Sequence, residues 1–147
     1  MLLAALEDFN RSATSTNHNQ RHHGYYGAIS RALNYHTAAI DSIVKQTFIN
    51  TPFVFAGVDS STAPSEDCTS MCAIYTAMGV AYFGAAGTIE ASSLLTRVFK
   101  PVEDVDLVGF SRLKLVLTED TFLAQGTIGA QFISARYSLI ALYAALV

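Results

Sequence analysis

Few residues in this chain have the types and spacing that chemistry needs, and Asp59 comes first among them. It directly follows Phe53-Val54-Phe55-Ala56-Gly57-Val58, a continuous apolar run rich in strand formers. Such a run is the pattern of a strand buried on both faces. A carboxylate at the carboxyl end of a buried strand stands where α/β barrels keep their catalytic groups, ready to act as a general base or to bind a cation. Ser60 and Ser61 add hydroxyl donors beside it. An Asx-turn, with Asp59 accepting from the amides of Ser61 and Thr62, accounts for the same residues. Glu119 and Asp120 form a second acidic pair, and Glu119 is the expected catalytic partner of Asp59. Acids are also favoured by the dipole in the first turn of a helix.

Gly84, Gly87 and Thr88 make a glycine turn into a helix start, where free amides can hold a phosphate or carboxylate. The spacing is neither a Walker motif nor a dinucleotide fingerprint, and plain backbone geometry explains the glycines equally. Arg112 and Lys114 alternate on one strand, so both project the same way, as a cationic patch, as partners for the acids, or as partner-facing surface. His18, His22 and His23 invite a metal reading. However, Asn19 stands where the zinc-protease motif needs Glu, so a solvated loop is expected and no metal site. Cys68 and Cys72 have no second ligand pair nearby and suit a helix face as small core residues better than a disulfide. No nucleophile elbow is present, and no motif identifies a cofactor.

The elements that would position these groups alternate. A short first helix is followed by a polar loop over residues 10–24, the two together forming a separate segment, 1–24. The remainder, 25–147, begins with a helix over 25–48 whose apolar face includes Ile29, Leu33, Ile40, Ile43, Val44 and Phe48. After the strand at 53–58 and a turn through Pro64, Ser65 caps a helix with Glu66 and Asp67 in its first turn, running to Met78 and stopped by Gly79. Val80-Ala81-Tyr82-Phe83 favours a strand. A helix spans 88–99, a further strand lies in 106–117, Thr118 caps another helix, and a last helical stretch runs from about Gln131. That stretch carries no stop signal, so it reads as an element cut off midway. Helix–strand alternation predicts an α/β fold, and three strands cannot close a barrel.

Composition points the same way. Apolar residues make up 51% and charged residues 14%, against roughly a quarter charged in an ordinary soluble domain. The surplus must be hidden in a bilayer, an oligomer interface, or a core completed by another chain. Residues 68–89 carry no charge and are long enough to span a bilayer. Glycines dilute them, acids flank both sides, and Gly79 divides them, so membrane insertion is disfavoured. A net charge of −3 without a basic stripe disfavours nucleic acid. Glu7 and Asp8 directly after an apolar N-terminus, together with only two cysteines, predict an intracellular, cytoplasmic protein.

Three blocks add a resemblance. Phe55-Ala56-Gly57-Val58-Asp59-Ser60-Ser61-Thr62-Ala63-Pro64, then Phe83-Gly84-Ala85-Ala86-Gly87-Thr88-Ile89, then Gly109-Phe110-Ser111 with Glu119-Asp120 and Leu123-Ala124, occur in this order. In this the chain resembles the uncharacterised family called domain-of-unknown-function 711, over residues 53–147. The resemblance implies a barrel like that of the glycyl-radical enzymes, of which this chain would be an interior portion. Arg112, Lys114 and Val116 stand where the family pattern has Gly, Met and Pro. The expected function is therefore an incomplete barrel acting as a structural or partner-dependent subunit, completed by another chain or a homo-oligomer. The alternative is an enzyme that uses carboxylate acid/base chemistry on a small anionic or polar molecule.

Overall fold

Apolar residues at Ala91, Leu94, Leu95, Val98 and Phe99 recur at the spacing of one helical face, and every one of them is buried. They belong to the central helix of a computed structural model that describes residues 1–14, 17–63, 65 and 68–146. Its helices are α1 (Leu2–Ser12), α2 (His18–Phe48), α3 (Met71–Ala77), α4 (Thr88–Phe99), α5 (Thr121–Ile128) and α6 (Ser134–Leu146). The flank beside that face, formed by Thr88, Ser92 and Thr96, is buried as well, and these small polar residues are all bonded. Ser92 Oγ donates to the Thr88 carbonyl at 2.8 Å and lies 2.6 Å from the Tyr75 hydroxyl. Thr96 Oγ1 donates to the Ala144 carbonyl of α6 at 3.0 Å. Helices α2 and α6 pack on α4, α1 packs on α2 and α3, and α3 meets α5. Each fully buried leucine, Leu94 and Leu95 among them, contributes about 2 kcal/mol by removal from water.

The α/β barrel expectation is corrected: the fold is helical, and no sheet is formed among the described residues. A single parallel bridge, Val58 to Leu107, is all that the expected strands make. The backbone explains why. Gly57 has φ +145°, and a Cβ there would sit 2.2 Å from the Asp106 carbonyl oxygen, so the two segments meet in a close approach that only glycine allows rather than in a regular ladder. On the other side Gly109 and Ser111 have φ +68° and +45°, which turns the chain out of an extended path just after the bridge. Phe53 and Val54, expected to be buried on both faces, are 68% and 92% exposed. Residues 80–83 are not a strand either. Val80 and Phe83 are buried as single anchors, Phe83 lying 5.5 Å from the Tyr75 ring and 5.1 Å from that of Phe132.

The helices were more legible than the strands, with shifted limits. The polar stretch at 10–24 contains the end of α1 and the first turns of α2, because the Asn17 side chain accepts from the Asn19 amide and caps α2 there. Ile29 and Leu33 are buried on α2 as expected, but Ile40 and Ile43 are 52% and 63% exposed. The α3 cap is Ser70 rather than Ser65, and Pro64, Glu66 and Asp67, on which the turn and first-turn expectation fell, lie outside the described residues, as does Val147. The uncharged residues 68–89 are divided between α3, a turn and the start of α4. Among the described residues no helix is long and apolar enough to cross a membrane.

Candidate functional site

Asp59 sits in a loop that lies alongside residues 106–114, and side chains take the place of a β ladder between the two. Past the bridge, Ser60 N–H donates to Ser111 Oγ at 3.3 Å and Arg112 N–H to Ser61 Oγ at 3.3 Å. Thr62 and Lys114 bond reciprocally: the Thr62 hydroxyl donates to the Lys114 carbonyl at 2.8 Å and accepts from the Lys114 amide at 2.8 Å. Hydroxyls can satisfy both main-chain groups of a kinked neighbour because each is donor and acceptor at once.

Within this clasp Asp59 Oδ1 accepts from the Ser61 amide at 2.9 Å, the Ser61 hydroxyl at 2.5 Å and the Ser111 amide at 2.9 Å. Its Oδ2 lies 3.6 Å from Lys114 Nζ, with both side chains 39% exposed. The Ser61 hydroxyl, then the Ser61 amide, hold the Asp59 carboxyl well below the usual carboxylate range; slight burial opposes this, and the Ser111 amide and Lys114 add to it. Gly109 is required beside it, since a Cβ there would stand 2.7 Å from Asp59 Oδ2. The Asx-turn reading therefore accounts for the Ser61 amide, and an Asp59 so firmly ionised is a weak proton acceptor at neutral pH. Arg112 and Lys114 do project the same way, at 5.6 and 5.7 Å from the centre of the Phe110 ring. The Arg112 guanidinium also reaches the Ala145 carbonyl.

The other expected site residues are not gathered here. Ser60 is buried and its hydroxyl donates to the Phe99 carbonyl at 2.6 Å, at the C-terminal end of α4. Gly87 and Thr88 are at the N-terminal end of the same helix, and a helix of that length spans about 17 Å. One small ligand does not reach both. The glycine turn is internally closed: Thr88 Oγ1 accepts from the Gly84 amide at 3.1 Å and donates to the Ala85 carbonyl at 2.7 Å. Glu119 is exposed.

Its neighbour Asp120 is the carboxylate that sequence reasoning undervalued, as an acid in a turn capped by Thr118. Asp120 is itself the cap of α5, accepting from the amides of Phe122 and Leu123 at 3.1 and 3.2 Å. It also accepts from the Ser70 hydroxyl at 2.5 Å and the Met71 amide at 2.7 Å at the start of α3. The signal available beforehand was the position alone, an Asp directly before an apolar helical stretch. Cys68 and Cys72 are free; Cys68 is exposed rather than in the core, while burial, with the nearby Asp120 charge, pushes the thiol of the partly buried Cys72 up to about 11, which suits an inert residue at the core's edge. No group of three or more His, Cys, Asp or Glu among the described residues is placed to hold a metal.

The class is set by the sequence as a whole rather than by this site. Residues 3–138 match the family described as Uncharacterised ACR (DUF711). The chain belongs to that family, and the match begins fifty residues ahead of the motifs that first suggested it. No curated protein and no solved structure matches the chain.

Proposed function

We propose that the protein is a partner-dependent structural subunit that uses an exposed apolar surface to join another chain, a second copy of itself being the first partner to test. One observation carries this reading. Phe53 and Val54 stand 68% and 92% exposed in an extended segment whose only bridge to a neighbouring segment, among the described residues, is at Val58. Such an edge offers main-chain groups and apolar side chains together, the combination by which strands are added from another chain. Ile40, Ile43 and Ile49 on and beside the end of α2 enlarge the exposed apolar surface. The reading includes a cytoplasmic location, in keeping with two free cysteines.

The enzyme alternative draws less support. Asp59 spends its bonds on its own clasp and Glu119 has no place in it. Light scattering on the purified chain at micromolar concentration tests the proposal. The expected mass is a multiple of 15.8 kDa that falls towards one chain in Val54→Asp. A monodisperse single chain at all concentrations, with unchanged Val54→Asp behaviour, overturns self-association.

A further inference from the structure

The first turns of α2 place His18 and His22 one turn apart, ring centres 5.8 Å from each other, against the outer face of α4. Between the helices lie two adjoining cavities that share His18, His22 and Glu90 as lining. One, of about 410 Å³, is also lined by Arg21 and Gly87; the other, of about 500 Å³, by His23 and Arg97. Neither Arg21 nor Arg97 is ion-paired with a described residue. His22 Nε2 is buried without a hydrogen-bond partner, and a buried polar atom left so is costly unless something external reaches it. Each cavity thus sets one guanidinium group and the imidazoles of His18 and His22 against one acid, Glu90.

We propose that the larger of these recesses binds the phosphate group of a small phosphorylated molecule, held by Arg97 with His22 donating from Nε2. Planar guanidinium groups match phosphate oxygens, and a doubly charged oxyanion answers the excess of cations. The cavities are much larger than a phosphate, which leaves room for the organic part of a monoester. Burial, then the charges of His18 and Arg97, lower the His22 pKa, against the Glu90 backbone and charge that raise it. A bound dianion reverses the sign of the field at that ring, so binding takes up a proton. The charged and titratable groups around His22 are His18, Arg21 and His23 on its own helix and Glu90 and Arg97 on α4.

The test is histidine titration by NMR, in chloride and in sulfate at matched ionic strength, sulfate being a dianion that does not itself titrate there. The His22 midpoint is expected to rise in sulfate, with at least half of the rise lost in Arg97→Gln. Arg97 is exposed, so its replacement leaves the fold intact, which thermal melting checks. A second arm compares inorganic phosphate with glycerol phosphate at pH 7, and the ester is expected to bind at least threefold more tightly. Equal binding makes free phosphate the ligand and overturns the ester. A midpoint that is the same in sulfate and chloride, or a rise untouched by Arg97→Gln, overturns the site.

Discussion

Two aspartates each tie together segments about fifty residues apart, and they do so in opposite surroundings. Asp120 is 1% exposed and its four bonds end on the beginnings of two helices, α3 and α5. Asp59 is half in solvent, and its bonds hold one kinked loop to another. Bond counts are similar. What differs is what happens when the carboxylate goes: around Asp59 water can replace it, while around Asp120 amides are left buried with no acceptor.

The largest expected effect is therefore at Asp120. Asp120→Ala removes a cap from each of two helices and strands buried donors, costing about 3 to 4 kcal/mol in chemical denaturation. Asp120→Asn sharpens the point, because an amide offers only one acceptor oxygen and should recover less than half of the loss. Next comes Thr62→Val, which leaves both Lys114 main-chain groups unpaired in a half-buried setting, for about 1 to 2 kcal/mol. Asp59→Asn should cost no more than about 1 kcal/mol at neutral pH, solvent screening reducing the worth of its charge. Its signature is pH dependence. The folded pKa lies below the ordinary 3.8, so the carboxylate's contribution is complete above that value and fades as pH falls through the folded pKa. The native protein should lose stability below about pH 4 more steeply than Asp59→Asn. Smallest of all is Glu119→Gln, an exposed change expected within about 0.5 kcal/mol. If Asp59→Asn cost as much as Asp120→Ala, burial would not be what separates the two clasps.

How far each region could be read from sequence follows the same division. Helix α4 was legible because the glycine turn at Gly84 and Gly87 leads into it and Pro101 closes it. The last helix, expected from about Gln131 on a long apolar run, begins three residues later, at Ser134. Residues 53–58 misled, because an apolar run states hydrophobicity and strand propensity but not whether a ladder partner exists. The turning residues Gly109 and Ser111 stood in the sequence, but their positive φ angles did not. The Asx-turn expected from Asp59 to the amides of Ser61 and Thr62 forms at Ser61, but the buried strand that Asp59 was to end does not form, and its clasp to Ser111 and Lys114 spans more than fifty residues with no local sign. The histidines were read as loop because their neighbours are polar, although polar residues on an exposed helical face look the same.

The cap that Asp120 lends to α3 also has a temporal side. Helices of 7 and 8 residues do not persist alone in water, since nucleating a first turn is unfavourable and too few bonds follow. Met71 finds its acceptor 49 residues further along the chain, so the beginning of α3 is finished only after a long loop has closed. The two short helices should therefore appear together, late in folding, behind an earlier pairing of α2 with α4. Refolding followed by pulsed hydrogen exchange would show the Met71 and Leu123 amides gaining protection in one shared slow step.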